Sequence, residues 1–173
     1  MSIITKVIAR QVFDSRGNPT VEAEVFSKNI SSSSICPSGA STGSFEAYEK
    51  RDLNKKNYNG KSVFKAVKII NTTIAKKLKN QNVHNQEKID HILLKLDGTK
   101  QKTKLGANSM LSVSMAVKKL SSKIKKIPLY KNFLVKKNFS LPYPLMNIIN
   151  GGVHANNGLQ IQEFMIRPDG AKS

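Results

Sequence analysis

Leu141-Pro142-Tyr143-Pro144-Leu145-Met146-Asn147-Ile148-Ile149-Asn150-Gly151-Gly152-Val153-His154-Ala155-Asn156-Asn157-Gly158-Leu159-Gln160-Ile161-Gln162-Glu163-Phe164-Met165-Ile166 is the stretch on which the reading of this chain turns. Two apolar runs flank a loop of Asn, Gly and one histidine, His154, and the second run carries Gln162 and Glu163 in its middle. The first run is too short and too closely flanked by glycine to be a helix. The pattern predicts a pair of buried strands, Met146–Asn150 and Gln160–Ile166, presenting a polar site. Pro142 and Pro144 favour extended backbone ahead of it and mark the best domain boundary.

Upstream, residues 3–26 read as an antiparallel hairpin. Thr20-Val21-Glu22-Ala23-Glu24-Val25 alternates with the period of a half-buried strand, and Ile4, Val7, Ala9 and Val12 form a looser partner. Asp14-Ser15-Arg16-Gly17-Asn18-Pro19 between them is dense in turn formers. Ser33 to Cys36 reads as a third short strand. Pro37 to Asp52 is a flexible Gly/Ser loop that fails the phosphate-loop pattern, because Gly43 is followed by Ser44 rather than Lys. Val63, Ala66, Val67, Ile70, Ile74 and Leu78 predict one helix. Ile89 to Leu96 predict a second, ended by Asp97-Gly98-Thr99. Gly106-Ala107-Asn108 opens a third, and Pro128 starts a short fourth through Tyr130 and Leu134. His84 and His91 have no ligand-spaced partner and read as surface or capping residues.

The 173 residues suffice for a real core. With 39% apolar and 23% charged residues the chain belongs to the globular class rather than the disordered one. No apolar run reaches the roughly 20 residues of a membrane helix, and no signal-peptide pattern opens the chain, so the expected compartment is the cytoplasm. The lone Cys36 agrees. The net charge of +18 comes from 25 Lys and only 4 Arg, alongside 16 Asn. A nucleic-acid binder leans more on Arg, so a compositional origin is the preferred reading. An RNA or acidic-partner surface is the alternative.

Asp14 to Glu22, Pro37 to Gly43, Gly106-Ala107-Asn108, Met146 to Ala155 and Gln162 to Ile166 resemble the enolase family, in order and at matching spacing. Asp97-Gly98-Thr99 and Pro128-Leu129-Tyr130 fit as well. The resemblance implies an α+β fold. Residues 1–140 would be the enolase-like N-terminal capping domain, an antiparallel β meander followed by helices. Residues 141–173 would be the first two strands of an incomplete β/α (TIM-like) barrel. It implies a lyase of glycolysis, phosphopyruvate hydratase, that interconverts 2-phosphoglycerate and phosphoenolpyruvate with two Mg²⁺ ions and works as a homodimer. Removing a proton beside a carboxylate concentrates negative charge, which divalent cations hold.

By the same resemblance, Ser41 matches the loop serine that coordinates the second Mg²⁺ as the loop closes over substrate. His154 matches the histidine at the substrate phosphate, and Gln162 and Glu163 match the pair at the substrate hydroxyl. Glu163 there orients or activates the water or leaving hydroxyl, so His154 and Glu163 are the expected catalytic residues. Without the resemblance, Glu163 reads equally as a structural ion-pair partner and His154 as a turn stabiliser.

The chain departs from the family in length. A β/α barrel takes about 250 residues, whereas 33 residues follow position 140. The resemblance places the acidic metal ligands, the lysine base, the principal glutamate acid and the phosphate-binding arginine in the rest of the barrel. Three readings stay open: a truncated enolase, a non-catalytic cap acting as a binding or dimerisation module, and one half of a split enolase. Each predicts that the isolated chain does not catalyse the reaction. Ser109 and Ser112, standing where the family has small apolar residues, read as drift.

Overall fold

Asp14 builds the first corner of the chain. Its carboxylate accepts the backbone N–H of Arg16 (2.9 Å) and of Asn18 (2.8 Å), a side-chain-closed turn that joins two long strands. The computed structural model describes residues 2–39, 43–133 and 140–170. It divides into two units, Met1–Phe133 and Leu134–Ser173.

In the first unit, β1 (Lys6–Phe13), β2 (Pro19–Ser27) and β3 (Ile30–Cys36) form an antiparallel meander in the order β1-β2-β3. The alternation expected of β2 is realised: Val21, Ala23 and Val25 are fully buried, while Glu22 and Glu24 face Arg10 at 3.2 and 2.6 Å. Ile4 does not continue β1. Its backbone instead pairs with the 80–83 segment, through Gln81 O and the Asn80 N–H at 2.8 Å each.

β3 begins earlier than expected because pairing and cover, rather than side-chain propensity, make it a strand. Ser31 to Ser34 pair with β2, and Ser34 lies buried beneath the long helix. Lys119 of that helix donates to Ser33 O (3.3 Å) and Lys123 to Ser31 O (3.1 Å), capping carbonyls on the exposed edge. Two lysines of this lysine-rich chain are therefore engaged with the sheet.

The first predicted helix is three pieces: α1 (Phe64–Ile69), a π-helical turn (Ile70–Ile74) and α2 (Ala75–Leu78). Thr72 Oγ1 donates back to Lys68 O (2.7 Å), a bond that loosens helices. In the same turn the Asn71 carboxamide accepts the Ala9 N–H (2.7 Å) and donates to Ala9 O (3.0 Å), standing in for a neighbouring strand along edge strand β1. Ile70, Ile74 and Leu78 remain fully buried. Asp52 caps α1 from outside, taking the N–H groups of Phe64 and Lys65 at 2.9 and 2.8 Å.

Helix α3 (Gln86–Asp97) starts at Asn85, whose side chain accepts the Lys88 N–H, and ends at Gly98 in the left-handed conformation, φ 71°. Helix α4 (Ala107–Lys125) lies across β2 and β3 and contributes Val113, Ala116, Val117 and Leu120, all fully buried. Burying each Val or Leu is worth about 1.5–3 kcal/mol. Ser109 and Ser112 are equally buried, and their hydroxyls donate to Ala66 O (3.5 Å) and Ser109 O (3.2 Å). Helix α5 (Leu129–Phe133) closes the unit, and Leu134, expected to extend it, lies outside the described residues. The exposed His84 bonds the buried Ser121 Oγ at 2.9 Å. Among the described residues, no helix is long and apolar enough to cross a membrane.

The second unit is a ribbon of β4 (Met146–Asn150) and β5 (Glu163–Ile166), paired antiparallel with a bulge between Asn147 and Ile149. The expected burial is not found: Ile148 is 60% exposed and Ile166 53%. A two-stranded ribbon has two faces and two edges, which only further strands or helices can cover. Residues 160–162, expected to begin the second strand, instead fold back under Gly151 and Gly152. The Gly151 N–H donates to Gln162 O (2.9 Å) and the Gly152 N–H to Leu159 O (2.7 Å).

Candidate functional site

The turn at Gly151 and Gly152 brings three of the expected residues together. His154 lies in a short 3-10 turn, Gly152–His154, facing the start of β5. Its Nδ1 is 3.3 Å from Glu163 Oε1, and its Nε2 is 3.1 Å from Gln162 Nε2. Both ring nitrogens are thus engaged by consecutive residues of one strand entry. Gly151 makes the approach feasible: a Cβ there would lie 2.4 Å from Ile161 O and 2.7 Å from Leu159 Cβ. Asn157 braces the loop by donating to Asn150 O (2.8 Å) and accepting the Leu159 N–H (3.2 Å). Arg167 and Asp169 pair with each other at 2.6 Å. The cluster offers one carboxylate, one imidazole and one carboxamide, a set of donors and acceptors suited to orienting a polar small molecule.

Ser41 lies outside the described residues, but the ends of its loop are described and firmly held. Arg16, in the Asp14 turn, donates through Nη2 to Ser38 O (2.8 Å) and Gly39 O (3.3 Å). Ser38 Oγ donates to the Glu49 carboxylate (2.7 Å) and accepts from Arg51 Nη2 (2.7 Å), which also meets Glu49 Oε1 at 2.8 Å. Arg51 Nη1 reaches Pro19 O (3.1 Å) and also bonds Lys61 O. On the far side, Glu46 Oε1 accepts the Gly43 N–H (2.9 Å). Tyr48 N–H donates to Gln101 O (2.7 Å), and Tyr48 O accepts the Ala107 N–H (2.8 Å). The span expected to be a flexible loop is therefore anchored from both flanks. Reading the sequence missed the anchoring roles of Arg16, Glu49 and Arg51. The available signal was the concentration of three of the four arginines in 10–51 of a lysine-rich chain.

At Cys36, at the root of this loop, burial, then the Glu49 carboxylate, push the thiol above the ordinary range, which disfavours the thiolate. Among the described residues, no three His, Cys, Asp or Glu side chains converge as a metal cage. Mg²⁺ is held octahedrally through oxygens, commonly carboxylates and water. One carboxylate beside an imidazole does not meet that requirement, so the described residues do not by themselves fit the ion.

A β meander backed by helices, followed by a two-stranded hairpin, makes this an α+β protein. The family model for the enolase N-terminal domain matches residues 4–133, and that for the enolase C-terminal TIM barrel domain matches residues 138–173. The chain belongs to the enolase family. It is 70% identical over all 173 residues to an enolase of Pelagibacter ubique, covering 41% of that protein. It is 53% identical over 169 residues to an enolase of Ehrlichia canis and 51% identical over 170 residues to one of Methanosarcina mazei, covering 40% of each. The chain thus spans about two fifths of the length of these curated relatives.

Proposed function

We propose that this chain supplies part of the active site of an enolase, the lyase that reversibly dehydrates 2-phosphoglycerate to phosphoenolpyruvate in glycolysis. The observation that carries the reading is the His154–Glu163–Gln162 cluster, formed within a chain of this family. In this reading residues 1–140 are the capping domain and 141–173 open the barrel, in a cytoplasmic homodimer. His154 meets the phosphate side of the substrate, and Gln162 and Glu163 meet its hydroxyl, where Glu163 orients the water or leaving hydroxyl. Ser41 contacts substrate and the divalent metal that the family implies, read here as Mg²⁺. The metal's remaining ligands fall to groups other than the described side chains.

Residues 141–170 contain one carboxylate beside His154 and no lysine to act as base, so the chain alone is expected to give no turnover. The test follows phosphoenolpyruvate absorbance with 2-phosphoglycerate and Mg²⁺, for the pure chain and for the chain mixed with the remaining barrel of the Pelagibacter ubique relative. Turnover only in the mixture, lost in Glu163→Gln, supports the proposal. Silence in a mixture that demonstrably associates overturns it, and sustained turnover by the pure chain overturns the part-site reading.

A further inference from the structure

We propose that Gln162 is a positioning residue for His154: with Glu163 it selects the neutral ring that carries its proton on Nδ1. The argument rests on which atoms face each other. A glutamine Nε2 can only donate, so His154 Nε2, 3.1 Å away, must accept. A neutral imidazole has one proton, which then sits on Nδ1, and the group 3.3 Å from Nδ1 is the carboxylate oxygen of Glu163, an acceptor. Donor meets acceptor at both nitrogens in this arrangement and in no other tautomer. The groups are also locally fixed, because Gln162 O is held by the Gly151 N–H (2.9 Å) and the His154 N–H by Gly151 O (3.0 Å). The other charged side chains described in the hairpin, Arg167 and Asp169, are spent on each other at 2.6 Å.

The consequence for the site rests on the function proposed above. An anionic phosphate needs an N–H from the ring, and here Nε2 offers a lone pair already covered by Gln162. The cluster is thus a self-satisfied resting state. Binding through Nε2 requires the Gln162 carboxamide to turn away and the ring to take up or move a proton.

Long-range ¹H–¹⁵N correlation spectra of the labelled full chain test the assignment, with the His154 signals identified by their loss in His154→Gln. The expected result is a pyrrole-type nitrogen at Nδ1 and a pyridine-type nitrogen at Nε2. In Gln162→Glu an acceptor faces each ring nitrogen, so Nε2 should become pyrrole-type as well, while Glu163 keeps the proton on Nδ1. A pyrrole-type Nε2, or the averaged pattern of a free histidine, in the parent chain overturns the proposal. So does a pyridine-type Nε2 that persists in Gln162→Glu. The readout involves no turnover, so loss of the catalytic reading in the mixing assay leaves this result standing, and the reverse holds as well.

Discussion

Asn108 and Lys50, 58 positions apart, exchange two hydrogen bonds: the Lys50 N–H donates to Asn108 Oδ1 (3.1 Å), and Asn108 Nδ2 donates to Lys50 O (3.0 Å). One carboxamide thereby satisfies both backbone groups of the residue that ends the return of the Ser41 loop. Gly106 lets the chains approach, since a Cβ there would meet Lys50 Cβ at 2.5 Å and its φ is +91°. Asn108 itself is 2% exposed. The Gly106-Ala107-Asn108 motif is thus a clamp as well as a helix start.

Asn108→Ala leaves the Lys50 N–H and carbonyl without this partner and should destabilise the first unit by about 1–3 kcal/mol. Urea unfolding measures it. An unchanged midpoint would show that the clamp contributes nothing.

Arg16→Ala should release Ser38 and Gly39 while leaving the Asp14 turn intact, because that turn is closed by Asp14 itself. Hydrogen exchange should quicken in peptides spanning residues 38–47, with global stability changed by no more than about 1 kcal/mol. Equal exchange in parent and variant would remove Arg16 as an anchor.

Asp97, 2% exposed, accepts the N–H groups of Leu105 (2.7 Å) and Thr99 (2.9 Å) as well as the Thr99 hydroxyl. Burial alone would raise its pKa, but these donors outweigh burial and hold the carboxyl below its ordinary value. A depressed folded-state pKa means that its stabilisation is complete above the unfolded carboxylate range, about pH 4, and is lost as pH falls through the folded value. Asp97→Asn should cost about 1–3 kcal/mol at pH 7 and flatten the acid limb of the stability profile. Denaturant melts between pH 2 and pH 7 check both, and parallel profiles for parent and variant would contradict the assignment.

Gly151→Ala should open the hairpin, because the new methyl would collide with Ile161 O, which is backbone and cannot swing aside. The amide of Gly152 should lose its protection, and the His154–Glu163 approach should be lost in nuclear Overhauser spectra. Retained protection would show that the turn accommodates a side chain.

Much of this architecture was legible beforehand because it follows from local rules. The alternation of Thr20 to Val25, the Asp14 turn, the Gly98 helix end and the spacing of Ile89 and Leu93 each depend on a few neighbouring residues. The π-helical turn was not legible, since its Asn71 meets a partner, Ala9, 62 positions away. The strand β3 extends beyond the Ser33–Cys36 that the sequence predicts because strand propensity says little where α4 and β2 impose the conformation.

The sequence alone determined the family, through blocks of residues in register, together with the polar character of the hairpin and the identity of His154, Gln162 and Glu163. Tertiary structure alone decided which atoms meet. It set both nitrogens of His154 against Gln162 and Glu163, turned three arginine-region side chains into the supports of the Ser41 loop, and drew Lys119 and Lys123 onto the edge of the sheet. The reason is physical: hydrogen bonds and ion pairs act over about 3 Å and require directed partners, and for residues far apart in the chain that proximity exists only after the backbone has folded.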